Sequence, residues 1–231
     1  MALKDDLKAA VAAIYKEIWT VRNGQVVPDE TTIALGNVGV KLQATVLYAD
    51  LADSTELVDT HTPEFAAEVY KTYLRCCGRI IRSEGGEITS YDGDRVMAVF
   101  LGDRKNTKAV RAALKINEAV VNVLRPKLKA QYPNEAYVLR SKVGIDTSPL
   151  MAAKAGIRGA NDLVWIGRAA NYAAKLATLN TYATYITSDV YKPMADEVAW
   201  VNGDRSQTNM WTPLTWNGIR IYGSDFRWVD F

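Results

Sequence analysis

Two stretches of this chain place carboxylates where apolar strands end. Ala44-Thr45-Val46-Leu47-Tyr48-Ala49-Asp50 is a β-prone run closed by Asp50, and the small, polar Leu51-Ala52-Asp53-Ser54-Thr55 follows it. From Gly86 to Phe100, two further β-prone runs flank Asp92-Gly93. An Asp-Gly pair between such runs is a strong short-range hairpin signal, and it puts Asp94 at or beside the tip. If the two strands are neighbours in one sheet, Asp50 and Asp94 converge at one edge. Two carboxylates at a buried edge, with nothing basic beside them, ask for a cation, and oxygen ligands of this kind suit Mg²⁺ or Mn²⁺. The bland alternative has Asp94 serving only the turn and Asp50 capping the next segment. Their joint placement argues against it.

The elements that would position these groups follow from periodicity and turn chemistry. Leu3, Leu7, Val11, Ile14, Tyr15, Ile18 and Trp19 form one stripe of an amphipathic helix over 3–19, which packs either on its own domain or on a partner copy, with plain core packing the expectation. The Gly-, Asn- and Pro-containing stretch from Asn23 to Val40 reads as a linker. Pro63 opens a helix to about Arg82, and Val110, Leu114, Ile116, Val120 and Leu124 mark another over 105–129. Tyr137 to Asp146 reads as a strand with Pro149 to Gly156 returning as its partner. A loop over 158–162 leads to Leu163-Val164-Trp165-Ile166, and Gly167 starts a helix on which Asn171 and Lys175, four apart, share a face. Tyr185-Ile186-Thr187 is a late strand before Ser188 caps a short helix. The order is a ferredoxin-like βαββαβ core of an α+β fold, with appended strands and an N-terminal helix. Residues 1–40 then form a helix and linker, and 41–231 the main domain. Its C-terminal extension carries Trp200, Trp211, Trp216 and Trp228, expected on edge strands covering apolar surface.

Composition excludes several classes. The 231 residues carry a net charge of +2, which points away from a nucleic-acid surface or a polybasic membrane patch. No apolar run approaches the ~20 residues that span a bilayer, and the acidic N-terminus lacks a signal core, so a cytoplasmic location is expected. Cys76 and Cys77 are adjacent and so poorly placed for a mutual disulfide, consistent with a reducing compartment. His61, the single histidine, reads as a loop residue ahead of Pro63, which removes His-rich zinc sites.

Three motifs in order, the strand ending at Asp50, the hairpin with Gly93-Asp94, and Trp165-Ile166-Gly167-Arg168-Ala169-Ala170-Asn171-Tyr172-Ala173-Ala174-Lys175, closely resemble the class III nucleotidyl cyclase catalytic domain. The resemblance spans roughly 43–190. It implies attack of a ribose 3′-hydroxyl on the α-phosphate with release of pyrophosphate, assisted by two Mg²⁺ or Mn²⁺ ions per site. Asp50 and Asp94 would be the metal aspartates, with Leu51 in the metal set, and the Leu51–Thr55 loop would face the triphosphate through Ala52, Asp53, Ser54 and Thr55. Asp53 departs from the small neutral residue usual there, and would repel phosphates unless it points outward or serves the metal. Asn171 would orient the ribose. Lys175 stands where the family has an arginine, keeping the charge but losing the bidentate fork. Arg158 and Arg220 are candidates for the β- and γ-phosphates. Sites of this family form between two domains, so one catalytic domain implies a homodimer with shared active sites.

The base-reading positions depart from the family most. Ser90 replaces the lysine of adenylate cyclases and the glutamate of guanylate cyclases, and Val164 replaces a second-reader aspartate. An unmet buried polar edge costs about 1–3 kcal/mol per group, so neither purine is read in the usual way. Tyr48 and Trp165 narrow the pocket further. This pattern, with the run Tyr48–Thr55, is similar to the pyrimidine cyclases of bacterial anti-phage signalling, which make cyclic UMP or cyclic CMP that activates a downstream effector. Ser90 can donate to a carbonyl and accept from N3–H, which favours UTP over CTP. An adenylate or guanylate cyclase with unusual readers, and an inactive nucleotide-binding homologue, are the competing readings.

Overall fold

A computed structural model describes residues 2–229. The elements are α1 (Leu3–Lys16), β1 (Thr20–Asn23), β2 (Val38–Leu51), α2 (Ser54–Thr60), α3 (Pro63–Ser83), β3 (Glu87–Asp92), β4 (Arg95–Phe100), α4 (Lys105–Ala119), α5 (Arg125–Gln131), β5 (Ser141–Ile157), β6 (Ala160–Ile166), α6 (Arg168–Leu176), β7 (Thr184–Thr187), α7 (Ser188–Tyr191), β8 (Thr212–Trp216) and β9 (Ile219–Ser224). Among the described residues the nine strands form one sheet in the order β3-β4-β2-β5-β7-β9-β8, with β1 paired to β2 and β6 to β5. β2 runs antiparallel to both β4 and β5, and β5 parallel to β7. The α+β architecture expected from the sequence is the one observed.

The sheet is covered on both faces, which is why β2 is apolar at nearly every position. Alternate residues of a strand face opposite sides. Leu47, Ala49 and Leu51 join the larger core with Val69, Tyr73 and Ile81 of α3 and Val110 and Leu114 of α4. Val40, Leu42, Ala44 and Val46 face the other way and meet Ala169, Ala170 and Ala173 of α6. Pro63 at the first turn of α3 gives up no hydrogen bond, and the Thr62 hydroxyl accepts from the Phe65 N–H at 3.3 Å. Cys77 of this helix is buried and its thiol is pushed far up by desolvation; Cys76 and Cys77 are both free.

Several local expectations are corrected. The N-terminal helix stops at Lys16, short of Ile18 and Trp19, and none of its residues is buried. Leu3 is 73% and Ile14 58% exposed, so its apolar stripe packs on no part of this chain's core. The helix is held at its C-terminal end, where the Asn37 amide donates to the Ile14 and Glu17 carbonyls at 2.8 Å each. Both ends of the stretch expected to be a linker, Asn23 and Val38–Val40, belong to the sheet: Thr20–Asn23 pairs in parallel with Val38–Lys41, and the 40/41 boundary falls inside β2. The segment from Ser141 to Ile157 is one 17-residue strand, and the strand that returns antiparallel along its second half is β6, reached through a turn at Arg158-Gly159. The helix expected over 105–129 widens into a π turn at Val120–Leu124 before α5. Pro126 lacks the N–H that a continuous α pattern requires there, and the wider turn accommodates it.

α6 approaches β5 closely because residue 144 has no side chain. A Cβ at Gly144 would stand 2.1 Å from the Ala173 carbonyl oxygen and 2.6 Å from the Ala177 nitrogen. Gly144→Ala is therefore expected to lift α6 and destabilise the fold by about 1–3 kcal/mol, read as a lower urea midpoint. An unchanged midpoint would show that α6 is free to move off the strand.

Candidate active site

The sheet register brings the two aspartates to one edge. Ala49 pairs with Val96 across β2 and β4, so the next position sets Asp50 beside Arg95. On the other side Asp50 pairs with Lys142 of β5. The turn joining β3 to β4 consists of Gly93 and Asp94, with Gly93 at φ +59°, and Asp94 thus sits at the tip as expected. The expectation that nothing basic lies beside these carboxylates is overturned. Arg95 donates from Nε at 3.1 Å and from Nη2 at 2.9 Å to Asp50 Oδ2. The sequence signal was available, since a residue following the turn faces the end of the neighbouring strand.

The electrostatics of this edge leave room for a further cation. Burial raises the Asp50 carboxyl above its ordinary range against the pull of Arg95, and the Asp94 charge adds to the rise. Asp94 Oδ2 is buried with no hydrogen-bond partner. Two mutually repelling carboxylates, one with an orphaned oxygen, fit a divalent ion. Among the described residues no group of three or more His, Cys, Asp or Glu side chains is arranged to hold a metal. An ion here would therefore complete its shell from backbone oxygen, such as the Leu51 carbonyl, from water or from substrate phosphates.

The segment after Asp50 turns sharply. Leu51 ends β2, the Ala52 N–H donates to the Arg140 carbonyl at 2.9 Å, and Asp53 adopts left-handed backbone (φ 60°, ψ 31°) before Ser54 and Thr55 open α2. Asp53 makes no side-chain cap; its Oδ2 accepts from Arg140 Nη2 at 2.6 Å. The extra carboxylate is thereby paired with a cation. The nearby Tyr137 hydroxyl is buried without a partner, and desolvation with the Asp53 charge pushes it up to about 12.

A cavity of about 460 Å³ gathers the base-reading positions: Tyr48, Ser90, Val164 and Trp165 line it together with Asn171. Ser90 lies just past a bulge at Thr89 in β3, where pairing resumes opposite Met97. Lys175 is exposed one turn beyond Asn171 on α6 and, like Asp50 and Asp94, is not among the lining residues. α6 is anchored at its start by Arg168, whose Nε donates to the fully buried Asp146 at 3.0 Å and whose Nη2 donates to Asp189 at 2.5 Å. Arg158 is exposed at the β5–β6 turn and Arg220 is exposed on β9, both outside this cavity. Arg95, Arg140 and Lys142 were not singled out from sequence, although Arg95 directly follows the turn and Lys142 stands at the start of β5.

No protein-family model matches the chain. It is 51% identical to a uridylate cyclase of Xanthomonas perforans over 99% of each chain. It is 50% identical to a uridylate cyclase of Burkholderia cepacia, covering 99% of this chain and 100% of that one. A uridylate cyclase of Rhodovulum sp. (strain MB263) is 34% identical, with 98% and 97% covered. In fold the chain is similar to an adenylyl cyclase of P. aeruginosa, with a TM-score of 0.67 at 22% identity over 80% of this chain and 95% of that one. It is also similar to a guanylyl cyclase, with a TM-score of 0.65 at 19% identity over 80% and 93%.

Removing the guanidinium from Asp50 leaves a buried carboxylate unpaired. Arg95→Met is expected to lower unfolding stability by about 1–3 kcal/mol at neutral pH in metal-free buffer. Because Asp50 already binds its proton more tightly in the fold than in the unfolded chain, the deficit shrinks as the pH is lowered from about 7 toward about 4 and the group becomes neutral. Equal stability of variant and wild type across that range would remove the pair from the account.

Proposed function

The chain belongs to the uridylate cyclase family of class III nucleotidyl cyclases, and from that premise we propose that it converts UTP to 3′,5′-cyclic UMP and pyrophosphate. The observation that carries the choice of base is the 460 Å³ cavity in which Tyr48, Ser90, Val164 and Trp165 stand beside Asn171. At the two positions where the family carries charged readers of a purine edge its walls offer the small hydroxyl of Ser90 and the apolar Val164, while Asp92 and Asp162 also line it. Ser90 donates to a uracil carbonyl and accepts from N3–H. The full-length relatives named uridylate cyclases support the same reading.

In this reading the 3′-oxygen bonds to the α-phosphorus as the bond to the β-phosphate oxygen breaks, and the hydroxyl proton is released. Mg²⁺ or Mn²⁺, two per site and held by Asp50, Asp94 and the Leu51 carbonyl, would supply acidification of the hydroxyl and charge neutralisation on the triphosphate. Asn171 orients the ribose and Lys175 stabilises the charge that builds at phosphorus, as a point cation without an arginine fork. Arg140 neutralises Asp53, so that this carboxylate does not oppose the incoming phosphates across Leu51–Thr55.

Two copies complete the site: Asp50 and Asp94 from one protomer, the cavity with Asn171 and Lys175 from its partner. What supports this is that neither aspartate lines the cavity holding Asn171. No helix among the described residues is long and apolar enough to cross a membrane, and the reading places the enzyme in the cytoplasm. There its product acts as a second messenger on a downstream effector in anti-phage defence, in keeping with the likeness of the Tyr48–Thr55 run to that group.

Incubation of the protein with each ribonucleoside triphosphate and Mn²⁺, followed by mass spectrometry, is expected to yield cyclic UMP from UTP and none from Asp94→Ala. Cyclic CMP as the main product would transfer the reading to cytidine, cyclic AMP or GMP would overturn the account of Ser90 and Val164, and no product would leave a nucleotide-binding homologue. The shared site has its own test. Asp94→Ala and Asn171→Ala, each inactive alone, are expected to recover about a quarter of wild-type activity when their subunits are exchanged, since half of the dimers then hold one intact site of two. No recovery in a confirmed mixed dimer would place all these groups in one protomer.

A further inference from the structure

The apolar stripe of α1 and an open face of the sheet stand unmatched on the same chain. At the end of β2 far from Asp50, strands β1, β2, β5 and β6 lie side by side. Residues directly across from one another share a face. Asn23, Lys41, Met151 and Ile166 thus form one row, and Val21, Gly39 and Ala153 the next. A Cβ at Gly39 would stand 2.9 Å from Met151 Sδ and 3.6 Å from the Trp19 ring, which sets both side chains over this face. On the same side of β2, α3 and α4 cover Leu47, Ala49 and Leu51 at the other end. Beyond them a groove of about 780 Å³ opens along Lys41, Leu101, Pro149, Met151 and Ile166. Ile166 is 48% exposed there.

The chain's own α1 does not fill this groove. Its last turn is fixed to Asn37, whose backbone N–H donates to Glu17 Oε2 at 3.1 Å beside the two amide bonds described above, and its stripe stays in solvent. A contiguous exposed apolar surface of this kind marks an interaction site. The dimensions of the two surfaces agree. From Leu3 to Ile14 the stripe runs about 17 Å at the helical rise. Four strands at the usual spacing measure about 14 Å across. The charge pattern selects among occupants. Lys4, Lys8 and Lys16 are matched in number by Asp5, Asp6 and Glu17. The helix therefore lacks the cationic excess with which an amphipathic helix meets an anionic lipid surface. Pairing α1 with α1 would cover the helices and leave both grooves open. Exchanging helices between two copies covers both surfaces at once, with the same patches used by each.

We propose that α1 of each protomer lays its stripe of Leu3, Leu7, Val11 and Ile14 into the groove of a second copy, over Met151 and Ile166, in a reciprocal two-fold exchange. The exchange stands apart from the shared active site proposed above. It is measured without nucleotide or divalent metal, and an inactive enzyme would leave it standing.

Disulfide trapping between full-length chains decides the matter, in a Cys76→Ser background that leaves only the buried Cys77. Chains carrying Leu7→Cys and chains carrying Ile166→Cys, with different tags, are co-expressed and mildly oxidised. A link across the exchange then joins two chains of unlike tag, and that linked heterodimer is the expected product. Its yield should fall at least tenfold when Ala9→Cys, on the far face of α1, replaces Leu7→Cys. A similar fall is expected when Ile14→Asp is added to the Leu7→Cys chain. Ile14 is 58% exposed within its own chain, so this change spares the fold. No link between unlike chains, or an equal yield from Ala9→Cys, overturns the exchange. Links confined to pairs of Leu7→Cys chains overturn it as well, in favour of helix–helix pairing.

Discussion

The structure depends on a strand that has no free side. β2 is hydrogen-bonded to β4 along one edge and to β5 along the other, and its two faces are buried against helices. A register slip of one residue would turn every apolar side chain of β2 to the wrong core, so the pairing is strongly specified. That constraint places Asp50. Once Leu47, Ala49 and Leu51 must face α3 and α4, Asp50 faces the opposite side, level with Arg95 and Lys142.

The same rigidity governs the helix that carries Asn171. α6 lies against β5 at a separation that only a glycine at 144 permits, and Arg168 ties its first turn to the buried Asp146 and to Asp189. Asp146 also accepts from the Thr187 hydroxyl at 2.5 Å, so β5, β7, α6 and α7 meet at one charged knot. A buried carboxylate with this many partners acts as a fixed reference point, because removing any partner leaves a charge in low dielectric. The cavity wall at Tyr48, Ser90 and Asn171 and the aspartate edge are thus two regions of one stiff sheet.

Much of this was legible in the residues. The hairpin at Gly93-Asp94, the strand ending at Asp50 and the helix bearing Asn171 each have a local signature, a turn pair, an apolar run or a spacing of four. What was not legible depends on contacts distant in sequence. Nothing near Asp53 announces that Arg140, far along the chain, will pair with it. The long reach of β5 was missed because Pro149 reads as punctuation, yet it pairs opposite Gln43 within the strand. The N-terminal stripe of Leu3, Leu7, Val11 and Ile14 has the period of a packed helix, and period alone does not say whether the surface it needs lies within the same chain.

The pairing of Arg95 with Asp50 has a consequence for how ions compete at that edge. A site of bare carboxylates would behave as a trap, its attraction for any cation growing steeply as ionic strength falls. An edge that already carries a guanidinium would behave as an ion exchanger toward any cation offered to it. An incoming ion gains the carboxylate only to the extent that it outbids, or shares with, a cation tethered to the same sheet and present at high effective concentration. The balance then turns on coordination geometry more than on bulk charge, and monovalent salt, which cannot match a fork of two N–H donors, is a poor competitor. Any cation that reaches this edge meets a carboxylate whose partner and position the sheet has already set.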